Sequence, residues 1–199
     1  MGLTSEQVHW IFGGVLVAAS ALFLLRDSGR LGWRWLDYLL PGLLALFGIE
    51  LLLDPLVHGD AAPANYAAET AQHFTLGLLL IATSGAELLR VLRNWQGTAA
   101  RLPLTAALAA AAATFLVHAQ HDSGAPMILL VTQHRMIAAT LAVAAAAVLF
   151  GASGRQQGAD RPSPLSLLML LLGLQLLIYN ETASSVHGPD SAHSSGAAA

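Results

Sequence analysis

The sequence predicts an all-α, polytopic integral membrane protein in which six transmembrane helices form a bundle with two repeated helical hairpins. Two observations carry this prediction. Of the 199 residues, 55% are hydrophobic and 11% are charged, with a mean hydropathy of +0.61, whereas soluble domains carry about 25% charged residues. The apolar residues also fall into six runs, each near the length of about 20 residues that spans a bilayer as a helix.

The first three runs cover residues 8–25, 36–53 and 73–92. We expect the first to be retained as a helix rather than cleaved as a signal peptide, because no basic segment precedes it and no small-residue cleavage site follows it. The second run carries Glu50 near its end, and the third begins at His73. All three have the length and hydropathy of membrane spans.

The last three runs cover residues 102–118, 134–150 and 164–180. The fourth and sixth lie near the lower end of the spanning range of about 17–25 residues, so we expect that they tilt little, that the bilayer is thin there, or that one of them is partly interfacial. Residues 1–181 form the predicted membrane domain. The Ser-, Ala- and Gly-rich tail, residues 182–199, has no apolar period and is predicted to be disordered.

The arginines predict the orientation. If the six runs alternate in direction, all but one of them lie in connections on one side, and Arg135 is the exception. The positive-inside rule makes that side cytoplasmic and puts both termini outside, as expected for a bacterial inner (plasma) membrane protein. The arginines on the predicted cytoplasmic side are Arg26, Arg30, Arg34, Arg90, Arg93, Arg101, Arg155 and Arg161.

The histidines lie on the opposite side of the predicted membrane from most of the arginines. All eight map to the extracytoplasmic side of this topology, and so does Glu50, the deepest carboxylate of the second run. An ionisable residue within a membrane span usually faces the protein interior and marks a functional site. The eight are His9, His58, His73, His118, His121, His134, His187 and His193, of which the last two lie in the tail.

A metal site is predicted where these histidines converge. His118 and His121 are three residues apart, so on a helix they share a face. A D-S-G-A-P turn then reverses the chain before His134. With His73 and Glu50 at the same membrane level, these five residues are the candidate metal ligands. The reserve ligands are Asp54, Glu69, His9 and His58.

Ligand chemistry narrows the choice of metal. Imidazole and carboxylate ligands without thiolates suit Zn, Cu or Fe, and the chain has no Cys. Met127 and Met136 lie near the cluster, so Cu(I) also fits. If the protein is an enzyme, a metal-bound water with Glu50 as general base would give a metal-dependent hydrolase, and an oxidoreductase is the other option; simple metal binding or handling is preferred.

Three alternatives to a metal site stay open. His73 and His134 could be the axial ligands of a haem. Outer histidines that titrate near neutrality could instead serve a metal-free, pH-responsive channel or sensor. The cluster could also be purely structural. The net charge of −3 gives no nucleic-acid signature, so the lipid bilayer is the expected partner, and homo-oligomerisation is left open.

An internal repeat supports two equivalent hairpins. Leu56-Val57-His58 and Ala71-Gln72-His73 recur as Leu116-Val117-His118 and Thr132-Gln133-His134, with an Ala-Pro between the two parts of each copy. Parallel repeats of this kind occur in transporters. We expect Gln72, Gln133 and Gln175 to hydrogen-bond across helices.

Several short motifs in chain order resemble the transmembrane protein 45 family, which is defined by a domain of unknown function. The resemblance implies a His-rich helical hairpin within a membrane domain, here in a bacterial-like relative with six helices instead of the usual seven. It implies a site and no particular activity. The motifs are Val8–Gly14, Phe47–Leu52, Ala71–Gly85, Phe115–Asp122 and Thr132–Met136.

Overall fold

The computed structural model describes residues 5–57, 66–117, 127–151 and 162–180. In this part of the chain there are six α-helices, two short 3-10 helices and no β-strand, which confirms the all-α prediction there. The α-helices are α1 (Ser5–Asp27), α2 (Leu39–Val57), α3 (Tyr66–Leu92), α4 (Leu102–Val117), α5 (Met127–Phe150) and α6 (Pro164–Leu177).

Five of these helices, α1 to α5, are long and apolar enough to cross a membrane. The sixth, α6, is apolar but has 14 residues, or about 21 Å of helix at 1.5 Å per residue, against a hydrocarbon thickness of about 30 Å. The sequence predicted a longer segment that continued to residue 180. The helix instead ends at Leu177, and Ile178 is its C-cap.

Helices α3 and α5 begin earlier than the sequence predicted. Each starts seven residues before the histidine that was expected to open it, α3 at Tyr66 and α5 at Met127. His73 and His134 therefore lie about two turns inside their helices. The added turns contain polar residues such as Gln72 and Gln133, which lower the hydropathy without preventing helix formation.

The helices pack most extensively as three pairs: α2 with α3, α4 with α5, and α1 with α6. In α1 and α6 the backbones meet at two glycines, because a Cβ added to Gly13 would lie 2.8 Å from the carbonyl oxygen of Gly173. In α2 and α3, a Cβ on Gly48 would lie 2.8 Å from the carbonyl oxygen of Gly77. Small residues allow this close approach, which stabilises helix pairs in membranes through van der Waals contact.

The three pairs are joined by a shared apolar core. It is built from buried side chains of α3, α4 and α5, and partly buried side chains of α2 and α6 pack against it. Helix α5 also contacts α6, and α3 contacts α4. The buried members are Leu76, Ala111, Ala112, Ile137 and Leu141.

Polar contacts at both ends of α1 and α6 show that these helices run antiparallel. At one end the Trp10 indole Nε1–H donates to the backbone carbonyl oxygen of Tyr179, at 2.9 Å. At the other end a carboxylate oxygen of Asp27 accepts from the Ser163 backbone N–H at 2.9 Å and from the Ser166 hydroxyl at 2.8 Å. Asp27 thereby satisfies donors at the first turn of α6.

Antiparallel packing of neighbouring helices gives the molecule two distinct ends. The histidine end contains the N-termini of α1, α3 and α5 and the C-termini of α4 and α6. The arginine end contains the opposite termini and most of the described arginines. There Arg26 forms an ion pair with Asp37. Buried Glu87 pairs with Arg90 at 2.6 Å, because their spacing of three residues puts both side chains on one face of α3.

Candidate functional site

The buried imidazole of His134 is the best-defined polar group at the histidine end. The residue is 4% exposed, and its Nδ1 lies 2.8 Å from the backbone carbonyl oxygen of Leu130, one turn earlier in α5. A carbonyl oxygen can only accept, so the proton of this hydrogen bond belongs to Nδ1. In the neutral ring, Nε2 is then the nitrogen that carries the lone pair.

Aromatic rings hold the His134 imidazole in place. Phe115 of α4 lies on one side, with ring centroids 5.6 Å apart. Tyr179, which follows α6 and is 3% exposed, meets the imidazole edge-on at 5.9 Å. The Tyr179 ring also stacks on the imidazole of His9 of α1, with centroids 4.0 Å apart and an interplanar angle of 15°. Side chains from α1, α4 and α5 and from Tyr179, beyond the C-cap of α6, therefore form a continuous row of rings.

The segment Tyr179–Asn180 is fixed by side chains of the neighbouring helices. Trp10 donates to the Tyr179 carbonyl, as described above. The Gln133 amide, with its nitrogen facing Asn180, donates to the Asn180 carbonyl at 3.2 Å and accepts from the Asn180 N–H at 3.3 Å. After α6, Trp10 of α1 and Gln133 of α5 thus satisfy backbone groups of Tyr179 and Asn180, and the Tyr179 N–H donates to the Leu176 carbonyl oxygen at 3.3 Å, as buried backbone polar groups require.

The three predicted cross-helix glutamines are confirmed. Gln72 of α3 donates to the carbonyl oxygen of Val117 at the end of α4, at 3.3 Å. Gln133 bonds the backbone beyond α6. Gln175 of α6 donates to the Thr140 hydroxyl of α5 at 2.9 Å. The Gln72 and Gln175 bonds link neighbouring helices, and the Gln133 bonds link α5 to the segment after α6.

Some of the remaining predicted ligands lie on the described helices, and the others lie outside the described residues. Glu50 on α2, His73 on α3 and His9 on α1 are half-buried. The helical backbone puts Asp54 one turn after Glu50 in α2, and Glu69 one turn before His73 in α3. His58, His118 and His121 lie outside the described residues.

The described residues do not make a metal site by themselves. Among them, no group of three or more His, Asp or Glu side chains is arranged to hold a metal ion. Glu50, His73 and His134 all belong to the described residues, so these three side chains do not form such a group on their own, and a site that includes them would need further ligands. His118 and His121, which follow the last described residue of α4, are the candidates that the sequence offers.

Sequence reasoning did not identify the residues that orient His134. Tyr179 and Asn180 were assigned to the last apolar helix, and Trp10 to the first. Their partners lie about 45 to 170 positions away along the chain, so no local spacing signals the contacts. One signal that could have indicated a polar role for this segment is the Tyr-Asn-Glu sequence of residues 179–181, which ends an otherwise apolar run.

Chemically, this arrangement offers an oriented imidazole packed between aromatic rings. A histidine whose Nδ1–H is bound to a backbone carbonyl is in the tautomer in which Nε2 can bind a metal. The same group could accept a proton or a hydrogen bond. Comparisons with protein-family models, with curated proteins and with solved structures give no match for the chain.

Proposed function

We propose that the chain is a multi-pass membrane protein whose helical bundle binds a transition metal near one membrane face. The proposed ligands are His134, His73 and Glu50 together with His118 and His121. The observation that carries the proposal is the buried, carbonyl-bound His134 ring. Metal-binding histidines commonly donate their second N–H to such a partner, which fixes the ring and raises its basicity.

The hydrogen-bonded surroundings support the proposal further. Binding a metal through buried side chains requires ligands that are already oriented, because ordering them would oppose binding. Phe115 and Tyr179 restrict the His134 ring, and Gln72 holds α3 against the end of α4 directly beside His73. The site would thus be assembled between α2, α3, α4 and α5 at the histidine end.

The proposed orientation follows from charge. The arginine end faces the cytoplasm, so the histidine end and both termini are extracytoplasmic. In a bacterial inner membrane this exposes the site to metals of the periplasm or the outer medium. Zn, Cu and Fe all suit a His and carboxylate ligand set, and metal handling is preferred over catalysis.

Two equivalent hairpins, α2–α3 and α4–α5, are part of the proposal. Each candidate histidine, His73 and His134, is the eighth residue of its helix. Each is preceded by a glutamine whose side chain hydrogen-bonds the backbone at, or just beyond, the C-terminal end of the next helix along the chain. These parallels support the repeat that the sequence suggests.

The test is elemental analysis and an absorption spectrum of the detergent-purified, full-length protein after incubation with Zn²⁺, Cu²⁺ or Fe²⁺ and removal of excess metal. We expect retained metal in stoichiometric amount and no Soret band. A Soret band would support the haem alternative instead. A protein that holds neither metal nor haem would contradict the proposal and favour the pH-responsive alternative.

The matched control is a His187→Ala, His193→Ala double variant. These two histidines lie in the C-terminal tail, far along the chain from the candidate ligands. We expect the variant to retain as much metal as the wild type. If the tail variant loses the metal, binding belongs to the tail and the proposed site is wrong.

A further inference from the structure

Among the described residues, the surface of the arginine end carries cations that pair with no carboxylate. Of the acidic groups there, Asp37 pairs with Arg26 and Glu87 with Arg90. In the part of the chain that the structure describes, no carboxylate lies within ion-pair distance of Arg30, Arg34 or Arg93. All three are exposed.

Exposed tryptophans accompany these arginines. Trp33 and Trp35 flank Arg34 in the sequence, are 53% and 50% exposed, and stack on each other with centroids 5.7 Å apart. Trp95, two residues after Arg93, is 56% exposed. Indole rings left exposed at the end of apolar helices favour the membrane interface, because the ring is apolar and its N–H seeks a polar partner.

Both connections that carry these residues are held against the same helix. The 3-10 helix Arg34–Tyr38 contacts α3, and its Leu36 is fully buried. The Ser84 hydroxyl of α3 donates to the Pro41 carbonyl oxygen at 2.7 Å. Arg93 follows the end of α3 directly. The exposed cations are therefore anchored on a fixed scaffold at one end of the molecule.

We propose that the arginine end binds the headgroups of anionic phospholipids through Arg30, Arg34 and Arg93, with the tryptophans at headgroup depth. The guanidinium group donates paired hydrogen bonds to phosphate oxygens and keeps its charge at any physiological pH. Unpaired cations at the membrane surface match the negative charge of such lipids. This surface is independent of the histidine end and of the proposed metal.

Native mass spectrometry of the full-length, detergent-purified protein tests the proposal, with phosphatidylglycerol and phosphatidylcholine offered at equal concentration. We expect the wild type to retain phosphatidylglycerol in preference to phosphatidylcholine. Each Arg→Gln change should lower the phosphatidylglycerol affinity about fivefold. The variants are R30Q, R34Q, R93Q and the triple combination.

The control variant is R135Q, which removes an exposed arginine at the histidine end. We expect it to bind phosphatidylglycerol as the wild type does. Equal loss in R135Q would overturn the assignment, because nonspecific charge attraction would then explain retention. Wild-type retention in the triple variant would also overturn it. If circular dichroism shows that the triple variant has lost helical content, the single R34Q variant replaces it. Wild-type retention of phosphatidylglycerol by R34Q would then overturn the assignment.

Inorganic phosphate distinguishes a lipid site from a site for free phosphate. We expect excess inorganic phosphate to leave phosphatidylglycerol bound, because the glycerol and acyl portions contribute contacts that free phosphate lacks. Complete displacement by phosphate at constant ionic strength would overturn the assignment to lipid.

Discussion

At the scale of the residue, the orientation of the His134 ring is fixed by one hydrogen bond and two aromatic contacts. Its own helix supplies the acceptor for Nδ1, α4 supplies Phe115, and the segment after α6 supplies Tyr179. A buried imidazole without a hydrogen-bond partner would cost about 1–3 kcal/mol. Here the hydrogen bond offsets that cost and selects the tautomer.

Tyr179 provides a test of the row of rings. Tyr179→Ala should destabilise the protein by about 3 kcal/mol, because a buried aromatic side chain is lost together with its stacking on His9. Tyr179→Phe keeps the ring contacts, so we expect a change within about 1.5 kcal/mol. Thermal unfolding in detergent measures both, and equal stability of the two variants would contradict the packing described.

At the scale of the element, two neighbouring glycines of α1 have opposite surroundings. A Cβ on Gly13 would lie 2.8 Å from both the Gly173 carbonyl oxygen and the Leu177 nitrogen, whereas one on Gly14 would meet nothing within 4 Å. Gly13→Ala should therefore destabilise the protein by about 1–3 kcal/mol through overpacking against backbone.

The matched control is Gly14→Ala. With open space around the new methyl group, we expect no loss and a gain of up to about 1 kcal/mol from the higher helix propensity of Ala. Denaturant or thermal unfolding of both variants in the same detergent compares them. If Gly14→Ala is the more damaging change, α1 and α6 do not pack through the face described.

The start of α6 offers a second test at this scale. Asp27 accepts from the Ser163 N–H and the Ser166 hydroxyl, so it joins the end of α1 to the start of α6. We expect Asp27→Ala to cost about 1–2 kcal/mol, the usual cost of losing a side chain that satisfies donors at a helix start. Asp27→Asn keeps an acceptor oxygen and should retain most of the stability; unfolding curves that rank Asn below Ala would be inconsistent with this role.

The sequence predicted the helices well and their ends less well, for a physical reason. Hydropathy reports apolar side chains, and it therefore locates each apolar run. It does not report helix formation by polar residues, so the first two turns of α3 and α5 were missed. Pairings that depend only on spacing within a helix, such as Glu87 with Arg90, can be inferred from the sequence because residues three apart share a helix face.

The candidate site was predictable in part. The amides of Gln72, Gln133 and Gln175 were expected to bond across helices because polar side chains in membrane spans seek such partners, and they do. The contact between Tyr179 and His9 was not predictable, because it depends on how α1 packs against α6, which the spacing of residues along either helix does not encode.

At the scale of the whole molecule, the distribution of arginines predicts which end of the protein faces the cytoplasm, and this orientation can be tested. The native chain has no Cys, so single cysteines can be introduced at exposed positions of either end. We expect Gln7→Cys at the histidine end to react with an impermeant thiol reagent added to spheroplasts, and Gln96→Cys at the arginine end to react only after lysis. The reverse pattern would invert the proposed orientation and remove the site from the extracytoplasmic face.

The central claim is that His134 and His73 bind one metal ion together with ligands that follow α4. The measurement that tests it most directly is metal stoichiometry of the wild type and of His73→Ala, His134→Ala and the double variant. Ligands of a single ion are coupled, so each single change should already remove most of the metal, and the double change should add little. Because protons compete for the imidazoles, wild-type retention should also fall as the pH drops through about 6.5. Wild-type metal content in His134→Ala would contradict the account.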